Sequence, residues 1–469
     1  MNQLFRTRTA SHDEFKDSGL KRCLSALDLT LLGIGAIIGT GIFVLTGIAA
    51  ATQSGPAVIL SFIIAGFACT FAALSYAELA GSLGGCGSAY GYSYAAFGEL
   101  LAWLIGWNLL LEYGMSVAAV ANGWSGYFLN GLRALGIELP RALTAAPANG
   151  GIANVPAVMV ILALMGMLIL GVKESARLNA VMVSIKLVTI AIFLIAAGGN
   201  VNLANWSPFM PFGWFTRTAD GHTVGVLAGA ALVFFAYIGF DAVTTAAEEA
   251  KDPQRDLPIG ILASLAICTV VYIVVAGVLT GVVSYTDLNV ASPVAHALQL
   301  LGHRWASGLV AVGVIAGLIT VMLVLYYGLT RILFAMARDG LMPPFFSNVN
   351  ARTQTPVSNI VFVGLVCATF AGFVPLGELA ELVNIGTLFA FVMVCIGVIV
   401  LRVTQPSLKR PFRTPWYPLI PILGALSCGA LMGFLPAITW WRFGIWLGLG
   451  LIFYFVYSYH HSRLATVSA

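Results

Sequence analysis

Charge is scarce in this chain: 9% of its 469 residues are Asp, Glu, Lys or Arg, while 59% are hydrophobic. Soluble domains carry about 25% charged residues. A water-soluble fold would need far more polar surface, so the hydrophobic excess must face lipid. The net charge is only +4, from 23 basic and 19 acidic residues, and it is too weak and scattered for nucleic-acid binding. Seven cysteines (Cys23, Cys69, Cys86, Cys268, Cys367, Cys395 and Cys428) form no CxxC pair and mostly sit in apolar runs. They read as small buried hydrophobes, not as disulfides or metal ligands. The six histidines (His12, His222, His296, His303, His460 and His461) fall in apparent loops or near the edges of apolar runs. With no HExxH and no Cys/His cluster, neither a metal nor a cofactor is expected. Nor is a cleavable signal peptide expected. The first 30 residues are polar and charged, and the apolar run that follows is expected to insert as an uncleaved signal.

What the chain has in quantity is long apolar runs. A membrane helix needs about 20 mostly apolar residues, and twelve such stretches fall at about 31–50, 57–80, 98–129, 152–171, 178–199, 223–247, 258–283, 307–336, 356–375, 379–402, 416–435 and 440–459. With the N-terminus inside, 17 of the 23 Lys and Arg residues fall on inner segments. Five (Arg133, Arg141, Arg217, Arg304 and Arg442) fall on outer loops, and Lys186 lies within a stretch. That bias predicts cytoplasmic termini. The longest outer connection, about 198–222, is too short for a domain. The reading is an all-α polytopic membrane protein with about 12 transmembrane helices, embedded in a lipid bilayer of the cell membrane.

Two stretches are interrupted. The first reads Gly33-Ile-Gly-Ala-Ile-Ile-Gly39-Thr40-Gly41-Ile-Phe43 and the sixth Phe234-Phe235-Ala236-Tyr237-Ile238-Gly239-Phe240-Asp241. Each interior Gly costs a helix about 1 kcal/mol against Ala. A break frees backbone N–H and C=O groups that lipid cannot satisfy, so they must face a cavity or a ligand. Freed N–H groups at a half-helix start suit a carboxylate, and freed carbonyls at a half-helix end suit an ammonium group. Two broken helices can therefore clamp both ends of an amino acid. The plain alternative is that the glycines permit close helix packing. Packing is the reading for Gly33 and Gly35, and a binding break for Gly39-Thr40-Gly41. A dinucleotide fingerprint is excluded, because no strand precedes the glycines. Breaks at corresponding places in two halves predict a five-plus-five inverted repeat with two helices to follow. The divisions are a cytoplasmic segment 1–30, a first repeat 31–200, a second repeat 223–404 and a final pair 415–460.

Few ionisable residues lie inside the stretches: Glu112, Lys186 and Asp241. Each costs at least ~2.5 kcal/mol at the bilayer centre. Eight residues separate Lys186 from Arg177, about 13 Å along a helix, too deep for easy snorkelling. Lys186 reads as functional or as a structural tether. Asp241 reads as functional or as a cap of the half-helix that follows it. Glu78 and Glu99, near the ends of their stretches, read as solvated or interfacial.

The Gly33–Phe43 run resembles the first-helix signature of the amino acid–polyamine–organocation superfamily. Glu249-Ala-Lys-Asp-Pro253-Gln-Arg255-Asp-Leu-Pro258 resembles its loop motif after the sixth helix, and Arg331 with Ala337-Arg338-Asp339-Gly340-Leu341 its loop after the eighth. With Glu112, Lys186 and Phe235–Asp241 in place, the chain is most similar to bacterial members of the cationic amino acid transporter family. The resemblance implies a LeuT-type fold and proton-coupled amino acid uptake. By position, substrate would meet Ile37, Gly39, Thr40, Gly41, Phe235, Ala236 and Ile238, with Leu325 facing its side chain. Cationic transporters tend to have a small polar residue at that last position. Leu325, with Phe235 and Ile238, points to neutral, small-to-medium amino acids such as alanine, since an arginine head group there would lose water without a partner.

Sodium-coupled relatives of this fold hold Na⁺ between carbonyls of the first helix and hydroxyls of the eighth. The eighth stretch here offers Thr320 but no adjacent hydroxyl pair. Lys186 would supply the cation instead, bonding carbonyls near Ile34–Ile37, with the proton as coupling ion and Glu112 and Asp241 as further candidates for its path. A cationic amino acid or polyamine exchanger is the alternative within transport. A channel would need a continuous polar lining, and an enzyme a nucleophile with its base or a metal set. A sensor that does not transport is a further alternative.

Overall fold

The computed structural model describes residues 6–7, 23–83, 89–171, 176–218, 223–350, 353 and 355–463. Among the described residues the regular structure is helical apart from one short antiparallel pair, β1 (Thr216–Arg217) with β2 (Thr223–Val224). In order, the helices are α1 (Ala26–Ile37), α2 (Thr46–Ala49), α3 (Val58–Ser82), α4 (Ala89–Phe97), α5 (Glu99–Ala134), α6 (Val155–Ile169), α7 (Ala176–Gly198), α8 (Val226–Val233), α9 (Ala242–Thr245), α10 (Pro253–Val282), α11 (Pro293–Leu300), α12 (Arg304–Arg338), α13 (Val357–Phe373), α14 (Leu376–Thr404), α15 (Leu419–Gly433), α16 (Ala437–Phe453) and α17 (Tyr459–His461). The wider π-turns Gly41–Leu45 and Ala50–Ser54 flank α2.

Local chemistry sets several starts. Ser25 and Asp28 form a reciprocal capping box at α1, Asn154 accepts from Ala157 N at α6, and Pro253 opens α10, where its missing N–H costs nothing. Among the described residues, eight helical runs are long and apolar enough to cross a membrane, and four apolar helices are shorter: Ala26–Ile37, Val155–Ile169, Val357–Phe373 and Leu419–Gly433. The first apolar stretch of the sequence is divided, α1 forming one part and Gly41–Ser54 the other. The second part continues through a turn at Gly55 into α3.

The packing has an internal correspondence. α1 lies on α10 as α8 lies on α3, and α7 lies on α12 as α14 lies on α5. The pairs α3–α10, α5–α12 and α6–α13 also pack together. Exchanging the first five apolar segments for the next five therefore maps neighbours onto neighbours.

The end of the bundle where α1 begins and α17 finishes (the terminal end) is closed by polar contacts. Leu24 and Ala250 form a parallel bridge, with Lys251 N donating to Leu24 O at 2.8 Å and Leu24 N to Glu249 O at 3.0 Å. Here two sequence expectations fail. Glu78 is 1% exposed and Glu99 is fully buried. Arg402 forks onto Glu78 at 2.8 and 2.6 Å, Thr414 N donates at 2.7 Å, and Arg410 lies at 3.4 Å. Glu99 accepts from Tyr94 and Tyr454, both at 3.0 Å, and from Ser462 at 2.6 Å. Both carboxylates sit near helix ends as anticipated, but distant chain segments fold over them.

Candidate functional site where two broken helices cross

α1 ends at Ile37, and Ile38 turns extended (φ −72°, ψ 100°) before the chain resumes as the Gly41–Leu45 π-turn. α8 tightens into a 3₁₀ turn over Phe234–Tyr237, Ile238 is extended (φ −63°, ψ 136°), and α9 restarts after Asp241. The two breaks touch. A Cβ on Gly41 would overlap the Cα and Cβ of Ala236. Gly239 has φ 117°, and a Cβ there would press on Ala36 at 3.0 Å. Glycine at 239 therefore answers two needs, a left-handed backbone and a close approach.

The carbonyls released by the breaks have partners. Lys186 Nζ donates to Gly35 O at 2.6 Å, and its aliphatic stem runs across Gly317 of α12. Lys186 is 1% exposed, so α7 ties α1 to α12 through one buried side chain. Tyr272 Oη, from α10, lies 2.8 Å from Ile37 O and 2.9 Å from Ala236 O, and has one proton for the two carbonyls. Asn384 Nδ2 of α14 donates to Ala231 O at 2.8 Å and Leu232 O at 3.1 Å. Each broken helix is thus pinned by a polar side chain from another segment.

The residues singled out in the sequence lie as follows. Ile37, Thr40, Phe235, Ala236, Ile238 and Leu325 are all buried. Gly39 has room, since the nearest atoms a Cβ there would meet are Val321 side-chain carbons at 3.5 and 3.6 Å and Ile37 O at 3.9 Å. Leu325 lies four residues beyond Val321 and so on the same face of α12. Thr40 packs on Gly123 of α5, and its buried hydroxyl has no hydrogen-bond partner among the described residues. Gly33 packs against Ser264 and Gly35 against Asn179, as the packing reading of that pair expects.

Glu112 and Asp241 belong to a second cluster. Tyr113 Oη donates to Asp241 Oδ2 at 3.3 Å, and α9 opens without a side-chain cap from Asp241. Glu112 is 1% exposed, with the Thr387 hydroxyl and the Asp241 carboxylate within electrostatic reach. Aromatic rings pack around the second break, with Tyr76, Phe234 and Phe240 each edge-on or tilted to Phe391 at 5.0–5.7 Å. Among the described residues no group of three His, Cys, Asp or Glu could hold a metal.

Sequence reasoning missed Tyr272 and Asn384. Its available signal was their isolation: a lone hydroxyl in Val-Val-Tyr272-Ile-Val-Val, and an amide well inside an apolar run.

Two broken helices crossing inside a multi-pass helical bundle define a membrane permease, and the comparisons agree. The sequence pattern of the amino acid permease family matches residues 24–457. The chain belongs to that family, within the amino acid–polyamine–organocation superfamily. It is 49% identical over 468 residues to the methylthioribose transporter of Bacillus subtilis, covering 99% of this chain and 100% of that one. It is likewise 49% identical over 453 residues to the branched-chain amino acid permease BcaP of the same organism, covering 96% and 95%. A vacuolar cationic amino acid transporter 4 of Arabidopsis thaliana is 39% identical over 415 residues, covering 87% and 68%.

Proposed function

We propose that this chain is a proton-coupled importer of neutral, small-to-medium amino acids such as alanine. It works by alternating access across a cell membrane, with both termini in the cytoplasm. The twelve apolar segments then cross the bilayer as two inverted five-helix repeats and a final pair. The exchange of neighbours between the two halves supports that arrangement. Substrate carboxylate meets the N–H groups that open the Gly41 turn, next to Gly39 and Thr40. Its ammonium meets carbonyls closing the Phe235–Ala236 turn, and its side chain extends toward Ile238 and Leu325. The likeness to a branched-chain amino acid permease favours a neutral side chain.

One observation carries the coupling: the 2.6 Å bond from buried Lys186 to Gly35 O, two residues before α1 ends. Losing that carbonyl removes one of the groups that hold the charged form of a buried ammonium. Withdrawal of α1 from Lys186 therefore couples a proton to access, with Glu112 and Asp241 as further stations. The test is uptake into proteoliposomes of labelled alanine, leucine, arginine and methylthioribose, with and without an imposed pH gradient. Alanine and leucine should accumulate with the gradient. Lys186→Met should lose gradient-driven accumulation and keep counterflow. A preference for arginine, a sodium requirement, or undiminished accumulation by Lys186→Met would each overturn the corresponding part. Preferential uptake of methylthioribose would move the substrate to the chemistry named for the other 49% relative.

A further inference from the structure

Arg331 lies outside the crossing of the broken helices. It sits seven residues before the end of α12, about 10 Å along the axis. Its side chain is exposed, with the guanidinium carbon 4.6 Å over the ring of Tyr327. It forms no ion pair among the described residues. Beside it is a cleft of about 180 Å³ where the end of α6, the last turns of α12 and the start of α13 meet. Its walls include Leu168, Phe334, Val349 and Ile360, with Thr330 and Thr355 at the polar side. The neighbouring surface is apolar and turned outward: Leu170 is 77%, Phe345 58% and Phe362 50% exposed.

These features fit the two halves of one kind of molecule. A guanidinium near a helix end with no ion-pair partner among the described residues is a strong partner for a phosphate. Basic pockets between membrane helices near the headgroup level take anionic lipids. An apolar cleft continuous with outward-facing Leu and Phe takes a hydrocarbon chain. A free phosphate would use only the first feature and would have to cross the apolar rim. We propose that this cleft binds an anionic phospholipid of the surrounding leaflet, its phosphate on Arg331 and an acyl chain along Leu168, Phe334 and Ile360. The site lies on α6, α12 and α13 and does not depend on which solute the permease carries.

The experiment is native mass spectrometry of the purified full chain titrated with phosphatidylglycerol or phosphatidylcholine of matched acyl chains, beside melting temperatures in the same lipids. Wild type should retain phosphatidylglycerol over phosphatidylcholine by roughly fivefold, the effect of one basic residue near a membrane surface. Arg331→Gln should bring the two lipids level, and Arg331→Lys should keep part of the preference. Leu168→Trp, which fills the cleft and leaves the guanidinium, should weaken retention of both lipids. Equal retention by wild type would overturn the proposal, and so would an undiminished preference in Arg331→Gln together with undiminished retention of both lipids by Leu168→Trp. Displacement of the lipid by millimolar inorganic phosphate would reassign the site to a soluble anion and overturn it too. The wild-type comparison decides even if a variant fails to fold.

Discussion

A phenol between two carbonyls has one proton to share. Tyr272 Oη faces Ile37 O and Ala236 O at almost equal distances, so at any instant one carbonyl is bonded and the other is available to a substrate ammonium or to a movement of its helix. Tyr272→Phe removes that partner from both. A hydrogen bond of this kind contributes about 1 kcal/mol net, and a buried carbonyl left unmade costs about 1–3 kcal/mol. The variant should insert normally, melt several degrees lower and bind alanine roughly tenfold more weakly. Binding assays at fixed pH read this directly, and unchanged affinity would remove Tyr272 from the site. Gly41 makes a sharper case. Its contact with Ala236 leaves no space for any side chain, so Gly41→Val must push the two breaks apart. Substrate binding should be lost in protein that is still made and inserted, and normal uptake by that variant would mean the breaks can separate without harm. Sequence reasoning placed Gly41 near the substrate; it could not tell that the glycine's immediate neighbour is Ala236, because that contact joins residues far apart in the chain.

Among the elements, helix breaks were legible and helix ends were not. Gly39-Thr40-Gly41 and Gly239 announce the breaks because glycine at mid-run weakens a helix, although glycine also serves packing, as at Gly33 and Gly35. Lys186 announces itself because a charge so deep has to find a partner. Glu78 and Glu99 misled because a carboxylate near a helix end ordinarily reaches water. Here the segment after α14 and the α17 end fold over them, and apart from Tyr94 the partners lie more than 300 residues away in sequence. The Glu78 cluster makes a testable element. It joins α3 to α14 and to the connection that precedes α15 through Arg402, Arg410 and Thr414. Removing one member of a buried ion pair strands the other at a cost of about 3–5 kcal/mol. Glu78→Gln should therefore lower the melting temperature clearly, while Glu78→Gln with Arg402→Met recovers part of the loss. A melting curve for Glu78→Gln that overlies wild type would show that the cluster is solvated in the membrane.

For the whole molecule, the arrangement makes orientation measurable with the chain's own cysteines. Of the six described cysteines, Cys23 is exposed, and Cys69, Cys268, Cys367, Cys395 and Cys428 are buried. Cys86 lies outside the described residues, so it is replaced by Ser in the test. A membrane-impermeant maleimide should then label a single site, Cys23, in inside-out vesicles and leave right-side-out vesicles unlabelled. Labelling from the outer side would reverse the topology inferred from the lysine and arginine bias. The bias was readable because insertion leaves its record in the loops. Packing partners could not be read from the sequence, since they leave no local mark in a uniformly apolar chain; the breaks alone suggested a repeat.

The bridge between Leu24 and Ala250 has a mechanical consequence. It fastens the chain just before α1 to the chain just after the α9 turn, on the far side of both breaks from α2 and α8. With Gly41 seated on Ala236 and Gly239 on Ala36, the pieces between are held at two points. They behave less like two independent hinges than like a coupled linkage with one free coordinate. A swing of the α1 half drags its counterpart with it. A force on either strand reaches both pivots at once, so the terminal end of the bundle opens as a unit or stays shut.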